Sequence, residues 1–251
     1  LTAAVASGAS PPDLPVEPLG RNRPESVPFN PPFDRDLSLS ISDRRQLADG
    51  REVLFSVENR LRFTRGQGGM IATLRRDAVD CNGPEPVCNA YRRAMATWIG
   101  TVQRYAIAAN GAIRPLVGGD VLAVGDGLPE AQAILSQIEQ QSPGALGMAE
   151  LREALSYVGH PLDPGVLAAV WRESPDELAV TIHPDQVAEI VSRTSVRLDS
   201  DPTVAIVRDK RDRVDLTTGL VLESVVTSRD AAVASGPNAP ILSSRLWRLA
   251  R

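Results

Sequence analysis

From Leu37 to Phe63 apolar and polar residues alternate, first in LSLSIS and again in FSVENRLRF, which is the period of half-buried strands. The polar segment between them, DRRQLADGREVL, fits a helix or a turn, and RGQGG (Arg65 to Gly69) a flexible turn without the Lys-Ser/Thr ending of a phosphate loop. The period then changes. Tyr91, Met95, Trp98, Ile99, Val102, Tyr105 and Ala106 recur at three- and four-residue steps, predicting one long amphipathic helix over 86–109 with its apolar face on a core. A Gly- and Pro-rich connection follows, NGAIRPLVGGDVLAVGDGLP.

Between Glu130 and Arg193 the spacing predicts four short helices. Ile134, Leu135 and Ile138 share one face of the first, and Leu151, Leu155 and Val158 share one face of the second, with Gly159 as its stop. Asp163 is a fitting N-cap for the third, with Pro164 at its first position and Leu167, Val170 and Trp171 apolar. The fourth carries Val187, Ile190 and Val191. After Arg197 the chain turns β-branched, and TVAIV, VDLTTG and LVLESVVT read as short strands. The last residues, APILSSRLWRLAR, fit a strand or short helix packing Leu242, Leu246, Trp247 and Leu249.

The four-helix stretch, above all AELREALSYVGHPLDPGVLAAVWRE, resembles a paired EF-hand lobe of the calmodulin and myosin-light-chain type. The resemblance covers about residues 130–193. It implies two helix–loop–helix units whose loops pair through Leu146 and Ile182. Calcium is a separate question, because a working loop needs oxygen ligands at positions 1, 3 and 5, glycine at 6 and a bidentate Glu at 12. In the second unit those places fall on Pro175, Glu177, Ala179, Val180 and Gln186, a set that cannot balance a divalent charge. In the first they fall on Glu139, Gln141, Pro143, Gly144 and Glu150, leaving Glu139 and Glu150 as the candidate ligands. No cofactor is expected. His160 falls in the linker between units and His183 in the second loop.

The expected fold class is therefore α+β, mainly helical. Its parts are a Pro-rich extended arm (1–35), a mixed strand and helix region (36–127), the EF-hand-like pair (128–195) and a β-rich extension (196–251). Phe29 and Phe33, set among prolines, are the arm's candidate anchors.

Composition narrows the function. With 27 basic against 31 acidic residues the net charge is −4, which gives no whole-chain electrostatic case for nucleic acid. Lys210 is the only lysine. No apolar run reaches the length of a transmembrane helix. The first twenty residues lack the plan of a secretory signal or an organellar presequence, so any targeting segment is expected to be already removed. Cys81 and Cys88, in DCNGPEPVCNA, fit either a disulfide across the Gly-Pro turn or two free thiols.

No nucleophile, metalloprotease or phosphate-loop motif is present, and Asp120, Asp126 and Glu130 are the acidic residues that a carboxylate-based enzyme would use. The residues favour a non-catalytic structural or adaptor subunit of a larger protein assembly. Leu135, Ile138, Leu151, Leu155, Val170, Trp171, Val187 and Ile190 would line a core or a groove for a partner's amphipathic helix. An organellar complex, such as a mitochondrial one, is the compartment this suggests. Two alternatives stand beside it. One is a secreted or periplasmic α/β binding protein with a Cys81–Cys88 bridge; the other is a calcium-responsive regulator using the first loop only.

Overall fold

The computed structural model describes residues 26–66, 69–116, 145–171, 174–198, 201–232 and 240–250. They form strands β1 (Asp36–Gln46), β2 (Glu52–Gly66), β3 (Gly69–Asn82), β4 (Val102–Ile107), β5 (Ile113–Pro115), β6 (Glu177–Ile182), β7 (Val187–Leu198), β8 (Asp201–Asp215), β9 (Val221–Asp230) and β10 (Ile241–Ala250). Three helices are described: α1 (Glu85–Ala96), α2 (Ala145–Ala154) and α3 (Pro164–Val170). All ten strands join one antiparallel sheet in the order β5-β4-β3-β2-β1-β10-β9-β8-β7-β6. Two five-strand meanders thus meet at one seam, where β1 pairs β10 from Ser38↔Ala250 to Arg45↔Ser243.

The sheet curls. β5 and β9 lie six steps apart in the strand order, about 29 Å on a flat sheet at about 4.8 Å per strand. Helix α2, a cylinder only about 10–12 Å across, packs against both. The inner face is therefore wrapped round α2, with α3 against β6.

Strand alternation supplies that inner face. Leu37 and Leu39 of β1, Leu61 and Phe63 of β2, Trp247 and Leu249 of β10, Val214 of β8 and Ile190 of β7 are buried with Leu151, Ala154, Leu155 and Val158 of α2 and its following turn. Each such apolar side chain contributes roughly 1.5–3 kcal/mol when removed from water. The outer face carries charge instead. Asp209 joins Arg193 (2.8 Å) to Arg229 (2.5 Å), Glu223 pairs Arg248 (2.9 Å), and Asp77 pairs Arg60 (3.0 Å) and Arg75 (2.6 Å).

The segment before β1 crosses one end of this curl. Val27 donates its N–H to His160 O and accepts from Gly159 N–H, both at 2.9 Å, and Asn30 N–H donates to Thr218 O at 3.0 Å. Phe29 meets Phe63 edge-on at 5.9 Å, and the Arg65 guanidinium lies 4.8 Å above Phe33. Both aromatic anchors of the arm therefore dock on the chain's own sheet.

The mainly helical expectation is overturned, and with it the EF-hand lobe. Of its four helices, α2 and α3 are helical, capped as Asp163 announces: its Oδ1 accepts from Gly165 N–H (2.9 Å) and Val166 N–H (3.3 Å). The second loop and the fourth helix are instead the hairpin β6–β7, paired from Glu177↔Arg193 to Ile182↔Ala188. Gln186, assigned to ligand position 12, adopts a left-handed conformation (φ 62°) in the hairpin turn. His183 N–H donates to Val187 O (2.8 Å) across that turn. Ile182 thus faces Ala188 and has no twin across a loop. The physical reason is content: Val180, Thr181, Ile182, Val187, Ile190 and Val191 are β-branched, and β7 gains a full ladder on β8. Val187, Ile190 and Val191 fit a helical stripe, yet Ala188, Ile190 and Ser192 alternate as buried residues of one face while Val191 is 44% exposed.

The helix over 86–109 is also corrected. It ends at Ala96, a turn closes at Gly100 (φ 82°), and Val102–Ile107 is β4. Tyr105 satisfies both periods, and as a strand residue it is fully buried beside Ala72. The final residues resolve as strand β10, with Trp247 and Leu249 inward.

Candidate functional site

Helix α2 presents two stripes to the curled sheet. Leu151, Ala154, Leu155 and Val158 enter the apolar core, while Glu150, Glu153 and Tyr157, also at helical steps, meet polar groups on the inner face. These contacts form two linked clusters.

The first is centred on Arg76 of β3. A β-bulge places Asn59 opposite Arg76 and Glu58 opposite Ala78, so Asp77 is an extra residue. Asp77 turns out to Arg60 and Arg75, and Arg76 turns in. Its Nη2 donates to Glu150 Oε1 (3.0 Å) and its Nε to Asn59 Oδ1 (3.2 Å), with the guanidinium 5.9 Å from the Trp98 ring. Arg76 and Glu150 are each only about one-tenth exposed (11% and 10%). Burial pushes the Glu150 carboxyl above its ordinary pKa, against the pull of Arg76 and the more distant Arg245.

The second is centred on Lys210 of β8. Its Nζ lies 2.8 Å from Glu153 Oε1 and 2.9 Å from Asp212 Oδ2, and the phenolic hydroxyl of Tyr157 donates to the same Asp212 oxygen. Ser224 of β9, buried opposite Asp212 in the ladder, adds a hydroxyl to the cluster. Burial lowers the affinity of Lys210 for its proton, but the two carboxylates outweigh it and its pKa is raised. Burial likewise works against the Glu153 carboxylate, and Lys210 with Ser224 outweighs it, leaving Glu153 lowered. Asp212 is raised by its own complete burial and by Glu153, and Tyr157 is raised well above the usual phenol range by burial and by Asp212.

These ion pairs fasten α2 to the inner face of the sheet. A lysine acts as base or nucleophile when its pKa is depressed, and a tyrosine when its phenol ionises. Here both are raised instead, Lys210 by its two carboxylates against the effect of burial and Tyr157 by burial and Asp212. Asp212 is fully buried.

The residues singled out from sequence are dispersed. Leu151 (0%), Leu155 (5%) and Ile190 (1%) are core residues, and Trp171 packs on that core with its ring 6.2 Å from Tyr157. Val187 (9%), on the opposite face of β7 from Ile190, lines a hollow on the outer face. Glu150 faces Arg76 instead of a metal, and no group of three metal-ligating side chains occurs among the described residues. Leu135, Ile138, Glu139, Asp120, Asp126 and Glu130 lie outside the described residues, as do the side chains of Leu146 and Val170. Cys81 and Cys88 are bridged, with Cα atoms 5.2 Å apart, tying the end of β3 to the first turn of α1. His183 lies 3.6 Å from Glu189 at an outer hollow of about 580 Å³, lined also by Asp185, Arg211, Arg213 and Glu223.

Sequence reasoning passed over Arg76, Glu153, Tyr157, Asp212 and Ser224. One signal was present: Glu150, Glu153 and Tyr157 form a polar stripe beside the apolar one, on a helix too buried to leave charges unpaired. Compared with protein-family models and with curated proteins, the chain matches none.

Proposed function

We propose that this chain is a non-catalytic contact protein of an oxidising compartment, a curled sheet held rigid from within that works by binding other protein chains. The pairing of Lys210 with both Glu153 and Asp212 carries the reading. The only lysine is used to fasten a helix to a sheet, and Arg76 pairs with Glu150 of the same helix. The Cys81–Cys88 bridge supports an extracytoplasmic or comparable oxidising setting, since such bonds persist where thiols are not kept reduced. The polar outer face, with its ladders of Arg, Asp and Glu, supports a sheet bathed by water, unlike the apolar outer band of a membrane barrel. No helix among the described residues is long and apolar enough to cross a membrane.

Native purification from the source, with mass and composition of the assembly measured, tests this. The chain is expected in an assembly heavier than itself, and Lys210→Arg is expected to preserve that assembly. Recovery as a lone monomer, together with loss of cellular role in a Lys210→Arg variant of unchanged melting temperature, would replace the reading with chemistry at Lys210.

A further inference from the structure

The two edges of the sheet differ. β5 is three residues long and ends in Pro115, and a short, Pro-bearing edge resists pairing with other strands. β6, ELAVTI, is twice as long and has no proline, no lysine and no bulge. Among the described residues β7 is the only strand paired with it.

The hydrogen-bond phase of β6 follows from its hairpin. His183 N–H donates to Val187 O, so His183 and Val187 form a hydrogen-bonded pair in the same register as the rest of the ladder. Stepping by two, Thr181, Ala179 and Glu177 direct their backbone groups to Glu189, Val191 and Arg193. Leu178, Val180 and Ile182 therefore direct theirs away from β7, to the open edge.

The side chains say what fits there. If a second β6 lies antiparallel with the two-fold axis through Val180, Val180 faces itself, Leu178 faces Ile182, and Ala179 faces Thr181. The ends are both polar, Glu177 opposite His183. All outward backbone groups then meet in hydrogen-bonded pairs, and the apolar side chains fall on one face. Centring on Ala179 instead puts Asp176 opposite Ile182, a charge against an apolar side chain 36% exposed. Of these two registers, the one centred on Val180 joins like to like.

We infer that two copies of this chain pair antiparallel through β6 with Val180 on the two-fold axis, joining their sheets into one. The interface is isologous and closes as a dimer. It deepens the contact-protein reading and rests on it, by naming a second copy as one partner.

Cysteine scanning of the purified full chain tests the register. In a hydrogen-bonded antiparallel pair the facing Cα atoms lie about 5.5 Å apart, within disulfide range. Val180→Cys is expected to form a covalent dimer under mild oxidation, at least about tenfold faster than Thr181→Cys, whose two copies are offset diagonally. Sedimentation of the unmodified chain is expected to show a dimer, and Val180→Pro, which removes the outward N–H, to show a monomer with native near-ultraviolet circular dichroism. A wild-type monomer at the highest attainable concentration, or equal cross-linking of the two cysteine variants, would overturn the pairing. If the purified chain is monomeric while the native chain elutes with other proteins, the β6 pairing fails and the contact reading stands. If both are monomeric, both fail.

Discussion

Lys210 Nζ lies 2.8 Å from Glu153 Oε1, joining the middle of β8 to the last turn of α2. Asp212, one pleat repeat further along β8, holds the same ammonium at 2.9 Å, so a single cation serves one fully buried carboxylate and one about a quarter exposed (26%). Removing it leaves both negative charges inside the curl. Lys210→Met is expected to cost about 3–5 kcal/mol, measured by urea unfolding. Neutralising the carboxylates as well, in Lys210→Met/Glu153→Gln/Asp212→Asn, is expected to recover most of that loss.

High pH should loosen the same cluster. Lys210 and Tyr157 both have folded pKa values above their unfolded ones, so the native state favours the protonated form of each. That contribution is whole below about pH 10 and is lost as pH rises through the folded values. Melting temperature is expected to fall from about pH 10 upward. In Tyr157→Phe the fall should be shallower, after a loss of about 1.5–3 kcal/mol at neutral pH from the missing bond to a carboxylate.

Legibility in the sequence tracked how locally each element is determined. Asp163-Pro164 marks the start of α3 because the cap is made by atoms two and three residues away. Leu151, Leu155 and Val158 mark a helical face because the whole stripe is buried against one surface. The hairpin β6–β7 was misread because its apolar residues satisfy a 3.6-residue and a two-residue period at once. The choice is made by β8, which no local window contains. The ion cluster was hidden for the same reason: Arg76 and Glu150, or Tyr157 and Asp212, are neighbours only through the curl of the sheet.

The Cys81–Cys88 bridge closes a short loop at the top of β3. In the chain-entropy account a loop of this size contributes about 2.5 kcal/mol. Cys81→Ser/Cys88→Ser is expected to lower stability by that order in chemical denaturation. The loss should show first as faster amide exchange in α1, which packs on Val53, Phe55 and Cys81 and has few other contacts.

Gly219 holds the strap before β1 in place. Its φ of 78° is one that residues with a Cβ rarely adopt, and a Cβ there would lie 1.8 Å from Pro28 O. Since that obstacle is backbone, Gly219→Ala must displace either the β8–β9 turn or the strap. A loss of more than about 1 kcal/mol is expected. Faster exchange at the Val27 and Asn30 amides, which bond to His160 and Thr218, would locate the damage.

The seam between β1 and β10 has a consequence for how the chain is made. Ser38 pairs with Ala250, so β1 is synthesised well before the strand it pairs with. At about 5–20 residues per second, the roughly two hundred intervening residues take about 10–40 s to appear. Through that interval β2 covers one edge of β1, and the backbone groups of the other edge have no native partner. The newborn protein therefore carries an open edge at the centre of its future sheet, exposed to neighbouring chains until β10 arrives.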